Sequence, residues 1–390
     1  MALTAACGSN AVCLGQRRMT SKWLASADHL WSSGAVNDRV MSGAELSRRF
    51  YADVVAPLLA EAMPRLEYAA GRLGSGSDVL GLDDAMSRDH DWGCRLTLLV
   101  DEPDRDAVPE VIGLLDRGLP DAYLGYPVKF PVTWAPAVTH NVEVATVAKF
   151  ATSRLGADPT RELSAFDWLI LTGQSVLEVI AGPVFADRTT ELARVREVLR
   201  WYPPDIERYV LAAGWQRLSQ EMPMVGRTAD RGDELGSRLL STRLAGDLMW
   251  LAFAVSRQWP PYPKWRGTAF RALEVAADLA GPLTAAATAL DWRGLESGLA
   301  QACDVLLGAQ RARGLPAPPA AITPFWDRPY RTVDQAVQQA LLAGITDPQV
   351  AGLPAWIGSV EQWASSVDIL ASPARRSALR AAYKEWASLG

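Results

Sequence analysis

The apolar and polar positions divide this chain into unequal parts. Residues 1–40 mix Ser, Gly, Ala and scattered charge without a period, and are expected to be disordered or loosely attached. Order sets in at Met41, which makes that methionine a candidate translation start. Ser42-Gly43-Ala44-Glu45 has the serine and the glutamate of a capping box. A helix is predicted over 43–63, with Leu46, Phe50, Val54, Leu58 and Leu59 on one stripe. A short strand over 68–70 and a longer one over 95–100 enclose a Gly-Ser-rich turn. A helix over 104–117, a proline-rich irregular or edge-strand piece over 126–136, and a strand over 140–147 follow. In that last strand Asn141, Glu143 and Ala145 share one face, and Val142, Val144 and Thr146 point mostly inward.

Beyond residue 147 the pattern is helical, with segments over 191–201, 205–221, 230–258, 270–279, 292–308, 333–342 and 372–386. Prolines break it at 203–204, 260–263 and 315–319, and the last break reads as a linker. No repeat of fixed period is present. The fold class is therefore α+β: the 1–40 extension, a small mixed-sheet domain over 41–150, a larger all-helical domain over 151–314, and a C-terminal helical extension over 315–390 packed on it.

Composition changes this picture only modestly. A length of 390 residues exceeds one typical core, which makes two domains the default. Hydrophobic residues at 49% and charged residues at 21% are ordinary for a globular chain. The 15 tryptophans are expected mostly as packing anchors. A net charge of −5 argues against a nucleic-acid surface and favours a small or nucleotide-sized substrate. The cysteines, Cys7, Cys13, Cys94 and Cys303, form no Cys-x-x-Cys, so neither a zinc site nor a disulfide framework is expected. The first twenty residues lack the pattern of a signal peptide, and the longest apolar run, 248–255, is about half a bilayer span. The expected setting is the cytoplasm, with no membrane partner.

The candidate chemistry centres on Gly71-Arg72-Leu73-Gly74-Ser75-Gly76-Ser77-Asp78, followed by Ser87-Arg88-Asp89-His90-Asp91-Trp92. Glycines let backbone N–H groups approach a phosphate closely. If residues 89–91 open the second strand, Asp89 and Asp91 lie on one face and can share Mg²⁺, which prefers oxygen ligands. Glu143 is an acid inside an otherwise apolar strand. It can complete a two-metal set, or take a proton from an acceptor hydroxyl. Parity turns His90 away from the aspartates and His140 away from Glu143. Tyr262-Pro263-Lys264-Trp265-Arg266 reads as a rigid loop presenting cations and aromatics: Lys264 suits a triphosphate as a point charge, and Tyr262 or Trp265 suits a base or sugar. Arg238 and Arg243 lie about 140° apart around one helix, so one of them faces a given cleft, and Asp233 is a further lining candidate.

Gly76-Ser77, eleven residues, then Asp89-x-Asp91 resembles the signature of the polymerase-beta-like nucleotidyltransferase superfamily. An α/β domain followed by an all-helical one is similar to its aminoglycoside nucleotidyltransferases. More specifically, the chain resembles a bacterial group known only as a domain of unknown function with that fold. The matching stretches are 72–84, 87–93, Asp233-Glu234-Leu235-Gly236-Ser237-Arg238-Leu239, 262–270 and Gly358-Ser359-Val360-Glu361-Gln362-Trp363. One departure is that Arg88, His90, Trp92 and Gly93 surround the aspartates, where the superfamily usually flanks them with apolar residues. The resemblance implies metal-dependent transfer of a nucleoside monophosphate, most simply AMP from ATP, to a hydroxyl of a small molecule. Asp89, Asp91 and Glu143 would be catalytic and metal-binding. Gly76, Ser77, Arg238, Lys264 and Tyr262 would hold the nucleotide, with Mg²⁺ as cofactor. The alternative is a protein of the same fold that does not transfer, but binds a nucleotide or metabolite as a regulator or uses the cleft for other biosynthetic chemistry.

Overall fold

The sheet is built where the sequence places its strands, but one strand comes from further along the chain. In this computed structural model the described residues are 41–390 except Asp89, Trp134, Trp356 and Gly390, so the reading of residues 1–40 falls outside them. In chain order, α1 (Gly43–Phe50) and α2 (Ala56–Ala62) are joined by a π-helical turn, Tyr51–Val55. Then come β1 (Ala69–Gly71), β2 (Arg95–Val100), α3 (Val108–Gly118), a two-stranded pair β3 (Ala122–Tyr123) and β4 (Tyr126–Pro127), β5 (Lys129–Val132) and β6 (Ala135–Thr146). Next are α4 (Val147–Leu155), α5 (Ala165–Leu169), α6 (Gly173–Ile180), β7 (Val184–Asp187) and α7 (Glu191–Val198).

The long helices follow: α8 (Pro204–Ala229), α9 (Glu234–Val255), α10 (Pro263–Phe270), α11 (Ala276–Thr288) and α12 (Trp292–Ala312). A small hairpin, β8 (Ile322–Pro324) with β9 (Arg331–Val333), precedes α13 (Gln335–Leu342). The end of the chain is α14 (Pro348–Ala351), α15 (Val360–Trp363), α16 (Val367–Leu370), α17 (Pro373–Ala378) and α18 (Arg380–Leu389). The architecture is α+β.

The five-stranded sheet has the order β5-β6-β2-β1-β7. β2 and β6 run parallel, with Arg95 opposite Asn141 and Thr97 opposite Glu143. Its outer strand β7 lies past residue 150, where the pattern had closed the sheet-bearing part, because β7 pairs antiparallel with β1. One face of the sheet buries Leu96, Leu98 and Val142 against Leu46, Phe50 and Leu59 of the first helices and Val111 and Leu115 of α3. Period 2 then directs Arg95, Thr97, Asn141 and Glu143 to the other face. The expected alternation of the 140–147 strand holds.

Three expectations are corrected. Asp91 does not open β2: the strand begins at Arg95, and Asp91 has φ 57°, a left-handed conformation outside any strand. The proline-held stretch 262–266 is not a loop, since Pro263 starts α10 with its fixed φ and no unsatisfied N–H. Residues 270–279 are not one helix but the end of α10, turns and the start of α11. The segment after 315–319 folds back: Thr332 donates to the Ser219 carbonyl of α8, and the Arg331 N–H to Glu296 of α12. Among the described residues no helix is long and apolar enough to cross a membrane.

Candidate functional site

The turn after β1 is held from within by a buried ion pair. Arg72 is 1% exposed and Asp78 5%. The Arg72 guanidinium donates to Asp78 Oδ2 at 2.7 Å and Oδ1 at 2.9 Å, and to the carbonyls of Leu73 (2.7 Å) and Ser75 (2.8 Å). Gly76 lies on this pair at φ 140°. A Cβ there would stand 2.2 Å from Asp78 Oδ1 and 2.5 Å from an Arg72 nitrogen, which is why glycine occupies the position. The Gly74 N–H donates to the Glu178 carbonyl at 2.8 Å, tying the turn to α6. The backbone N–H groups of Ser75, Gly76 and Ser77 have no acceptor among the described residues. The N-terminus of α1 borders the same region, with the Gly43 N–H donating to Asp83 at 2.7 Å.

Beside the turn is an open cavity of about 280 Å³, lined by Arg72, Ser75, Arg95, Thr97, Glu143 and Arg154 among others. Arg95 donates to the Asp91 carbonyl at 3.0 Å and to Ser75 Oγ at 3.4 Å. Burial, and secondarily the positive charge of Arg72, lowers its pKa to about 9. Arg154, in the last turn of α4, grips Glu143 with both nitrogens at 2.7 and 2.6 Å and lies over the Phe150 ring. Among the described residues that line the cleft cations outnumber anions, and the neighbouring turn has N–H groups without an acceptor among the described residues; such a wall suits an oxyanion such as phosphate.

The structure brings some of the expected residues together and leaves others apart. Gly76 and Ser77 belong to the turn, and Glu143 to the cavity wall. Asp89 lies outside the described residues. Asp91 turns to the β5–β6 connection, where it accepts from the Thr133 N–H at 2.6 Å and hydroxyl at 2.8 Å. Burial works against the Asp91 carboxylate, but these bonds and His90 outweigh it and hold its pKa below the ordinary value. His90 therefore touches Asp91 instead of facing away; strand parity does not apply in a turn. His140 also lines the cavity with Glu143, its Nε2 3.3 Å from Asp116.

Arg238 is committed elsewhere. It donates to the carbonyls of Ala289 (2.7 Å) and Leu290 (2.5 Å), closing the turn between α11 and α12. Arg243 pairs with Glu221, and Asp233 caps α9 by accepting from the Gly236 N–H at 2.8 Å. Lys264 is exposed, with its ammonium 4.8 Å from the Trp265 ring centre, and its charge acts on Asp84. The Tyr262 N–H donates to Gln174 of α6 at 3.0 Å. Among the described residues no three acids, histidines or cysteines are grouped to hold a metal. The two described cysteines, Cys94 and Cys303, are free and buried.

Arg72, Arg95, Arg154 and Glu178 were not singled out by the sequence. Arg95 alone left a signal, as a charge at the head of an apolar strand.

An α+β protein with an arginine-lined cleft beside a glycine-serine turn is the class that fold and site define. Residues 168–266 match the family DUF4037, a domain of unknown function, and so include the 233–239 stretch and the start of the 262–270 stretch. This is the resemblance to a family of unknown function, and it holds for that part of the chain. A nucleotidyltransferase-like protein from Exiguobacterium sibiricum 255-15 is similar at 11% identity over 70% of this chain and 78% of that chain, with a TM-score of 0.31. That likeness is too distant to carry an argument. No curated protein matches.

Proposed function

We propose that the cleft binds the polyphosphate of a nucleoside triphosphate, and that the protein is a nucleotidyltransferase moving AMP from ATP to a hydroxyl of a small molecule. One observation carries this reading: Arg95 and Arg154 share a cavity with a turn whose successive N–H groups lack acceptors among the described residues. At about 280 Å³ the cavity is at the small end for a whole ligand and suits the phosphates, leaving the nucleoside toward the rim. Lys264 and Tyr262 remain proposed contacts for that outer part, where the charge of Lys264 already reaches the loop at Asp84.

The described carboxylates do not fit a resident metal centre, because Asp91 is held by Thr133 and Glu143 by Arg154. Mg²⁺ is therefore proposed to arrive with ATP, as part of the substrate. The same engagement of both acids favours a second reading, in which the cleft binds a nucleotide or phosphorylated metabolite without transferring it. The proposed setting is the cytoplasm, in keeping with the free thiols of Cys94 and Cys303.

Calorimetry with ATP and Mg²⁺, together with a screen of the four nucleoside triphosphates for pyrophosphate release, separates the two readings. Binding with release supports transfer. Binding without release supports the regulator, and no binding at all refutes the phosphate cleft.

A further inference from the structure

Glu143 and Arg154 meet on the wall of the cleft, and the way they meet leaves part of the guanidinium unused. Its end is taken: Nη1 donates to Glu143 Oε1 at 2.7 Å and Nη2 to Oε2 at 2.6 Å. Nη1 also donates to Ser153 Oγ. A guanidinium carries five N–H donors in a rigid plane. These three bonds leave its side edge, Nε–H and the second Nη2–H, with no acceptor among the described residues. That edge adjoins the glycine-serine turn: a Cβ on Gly74 would stand 3.3 Å from Nη2. Arg154 and Ser75 of the turn line the same cavity.

We propose that Glu143 is a positioning residue, instead of the metal ligand that the resemblance implies. It holds the end of the Arg154 guanidinium so that the side edge takes a phosphate oxygen directly, with no divalent cation held by the protein. This rests on the phosphate-cleft reading above, but not on transfer. The chemistry supports it. A carboxylate bonded to both end nitrogens fixes the plane of the guanidinium, and the side-on fork that remains matches two oxygens of a phosphate. A divalent cation on Glu143 would stand against a guanidinium already bonded to both of its oxygens, and like charges so close repel. The other described acid of the motif, Asp91, is held by Thr133, and among the described residues no three metal-ligating side chains are grouped. The cation that meets the phosphate is Arg154 itself.

The test is calorimetry with ATP, once in EDTA and once in excess Mg²⁺. It compares wild type with Glu143→Gln, Glu143→Ala, Arg154→Ala and the double variant of Glu143→Ala with Arg154→Ala, each checked for folding by circular dichroism. Wild type is expected to bind at least as tightly in EDTA as with Mg²⁺. Arg154→Ala should weaken binding about 10- to 150-fold in both, the loss of one charge-assisted contact. The sign of the change at Glu143 decides the role. By charge alone, removing a carboxylate from an anion site tightens binding. Lost positioning weakens it, in EDTA as well as in Mg²⁺ and more in Glu143→Ala than in Glu143→Gln, and the effect vanishes once Arg154 is gone. Unchanged or tighter binding in the Glu143 variants overturns the proposal, as do additive losses in the double variant. Weakening confined to Mg²⁺ overturns it too, and returns Glu143 to a metal. If Glu143→Ala does not fold, the isosteric Glu143→Gln decides alone by the same sign. A wild type that binds ATP only with Mg²⁺ overturns the inference and leaves the cleft. One that binds in neither condition refutes the phosphate cleft as well.

Discussion

Removing Asp78 tests whether the turn is organised by its buried ion pair. In Asp78→Ala the Arg72 guanidinium, 1% exposed, loses its bonds at 2.7 and 2.9 Å and keeps only the neutral carbonyls of Leu73 and Ser75. Breaking one partner of a buried pair leaves an uncompensated charge, which costs about 3–5 kcal/mol. Asp78→Asn keeps an acceptor but no charge and should fall between, since a hydrogen bond to a charged group is worth about 1.5–3 kcal/mol. Replacing both members, Arg72→Met with Asp78→Leu, should recover much of the loss, because apolar substitutes for a buried pair are often neutral. The assay is urea unfolding followed by fluorescence and circular dichroism, with coincident transitions required before a free energy is taken. A loss under about 1 kcal/mol in Asp78→Ala would falsify the account.

Other consequences follow from the same geometry. Arg95→Ala should weaken ATP binding roughly 10- to 150-fold by calorimetry, the equivalent of one charge-assisted contact of about 1.5–3 kcal/mol; an unchanged Kd removes Arg95 from the phosphate site. Gly76→Ala combines φ 140° with a contact of 2.2 Å to Asp78 and should lower stability by more than about 2 kcal/mol in urea, a prediction lost if the midpoint does not move. His140 has its pKa lowered first by burial, with Asp116 opposing. Its unfolded state thus binds protons more readily, and its contribution to stability, full above about pH 6.5, should be lost as pH falls through the folded value. His140→Gln should flatten that part of the unfolding profile between pH 8 and 5, and an unaltered profile contradicts the assignment. Arg376, fully buried, donates to the Arg154 carbonyl at 2.6 Å at the end of α4. Arg376→Ala should cost about 1–3 kcal/mol per stranded carbonyl and weaken ATP binding through Arg154; normal stability and Kd together would exclude that anchoring role.

The fold was more legible than the site. The strand over 95–100 and the helical second half follow from short-range pattern, and the inward Val142 and outward Glu143 follow from a period of two. β7 was not legible, because a four-residue edge strand is defined by its partner β1 and not by its own composition. Nor was the end of α9: Arg238 looks like a cleft cation in a motif, yet two carbonyls at 289 and 290 claim it. The aspartate pair misled through its spacing. Alternation gives a shared face only inside a strand, and β2 starts four residues beyond Asp91.

The sequence by itself determined the strand over 95–100, the long helices with their amphipathic faces, and the need for glycine in a turn beside a strand, since backbone geometry and burial act over a few residues. Only the tertiary structure decided which charges meet. Arg72 with Asp78, Arg154 with Glu143, and Glu178 beside the turn are set by how β2, β6, α4 and α6 pack. Electrostatic pairing depends on distance in space and on the water excluded around it, and neither is written in the spacing of residues along a chain.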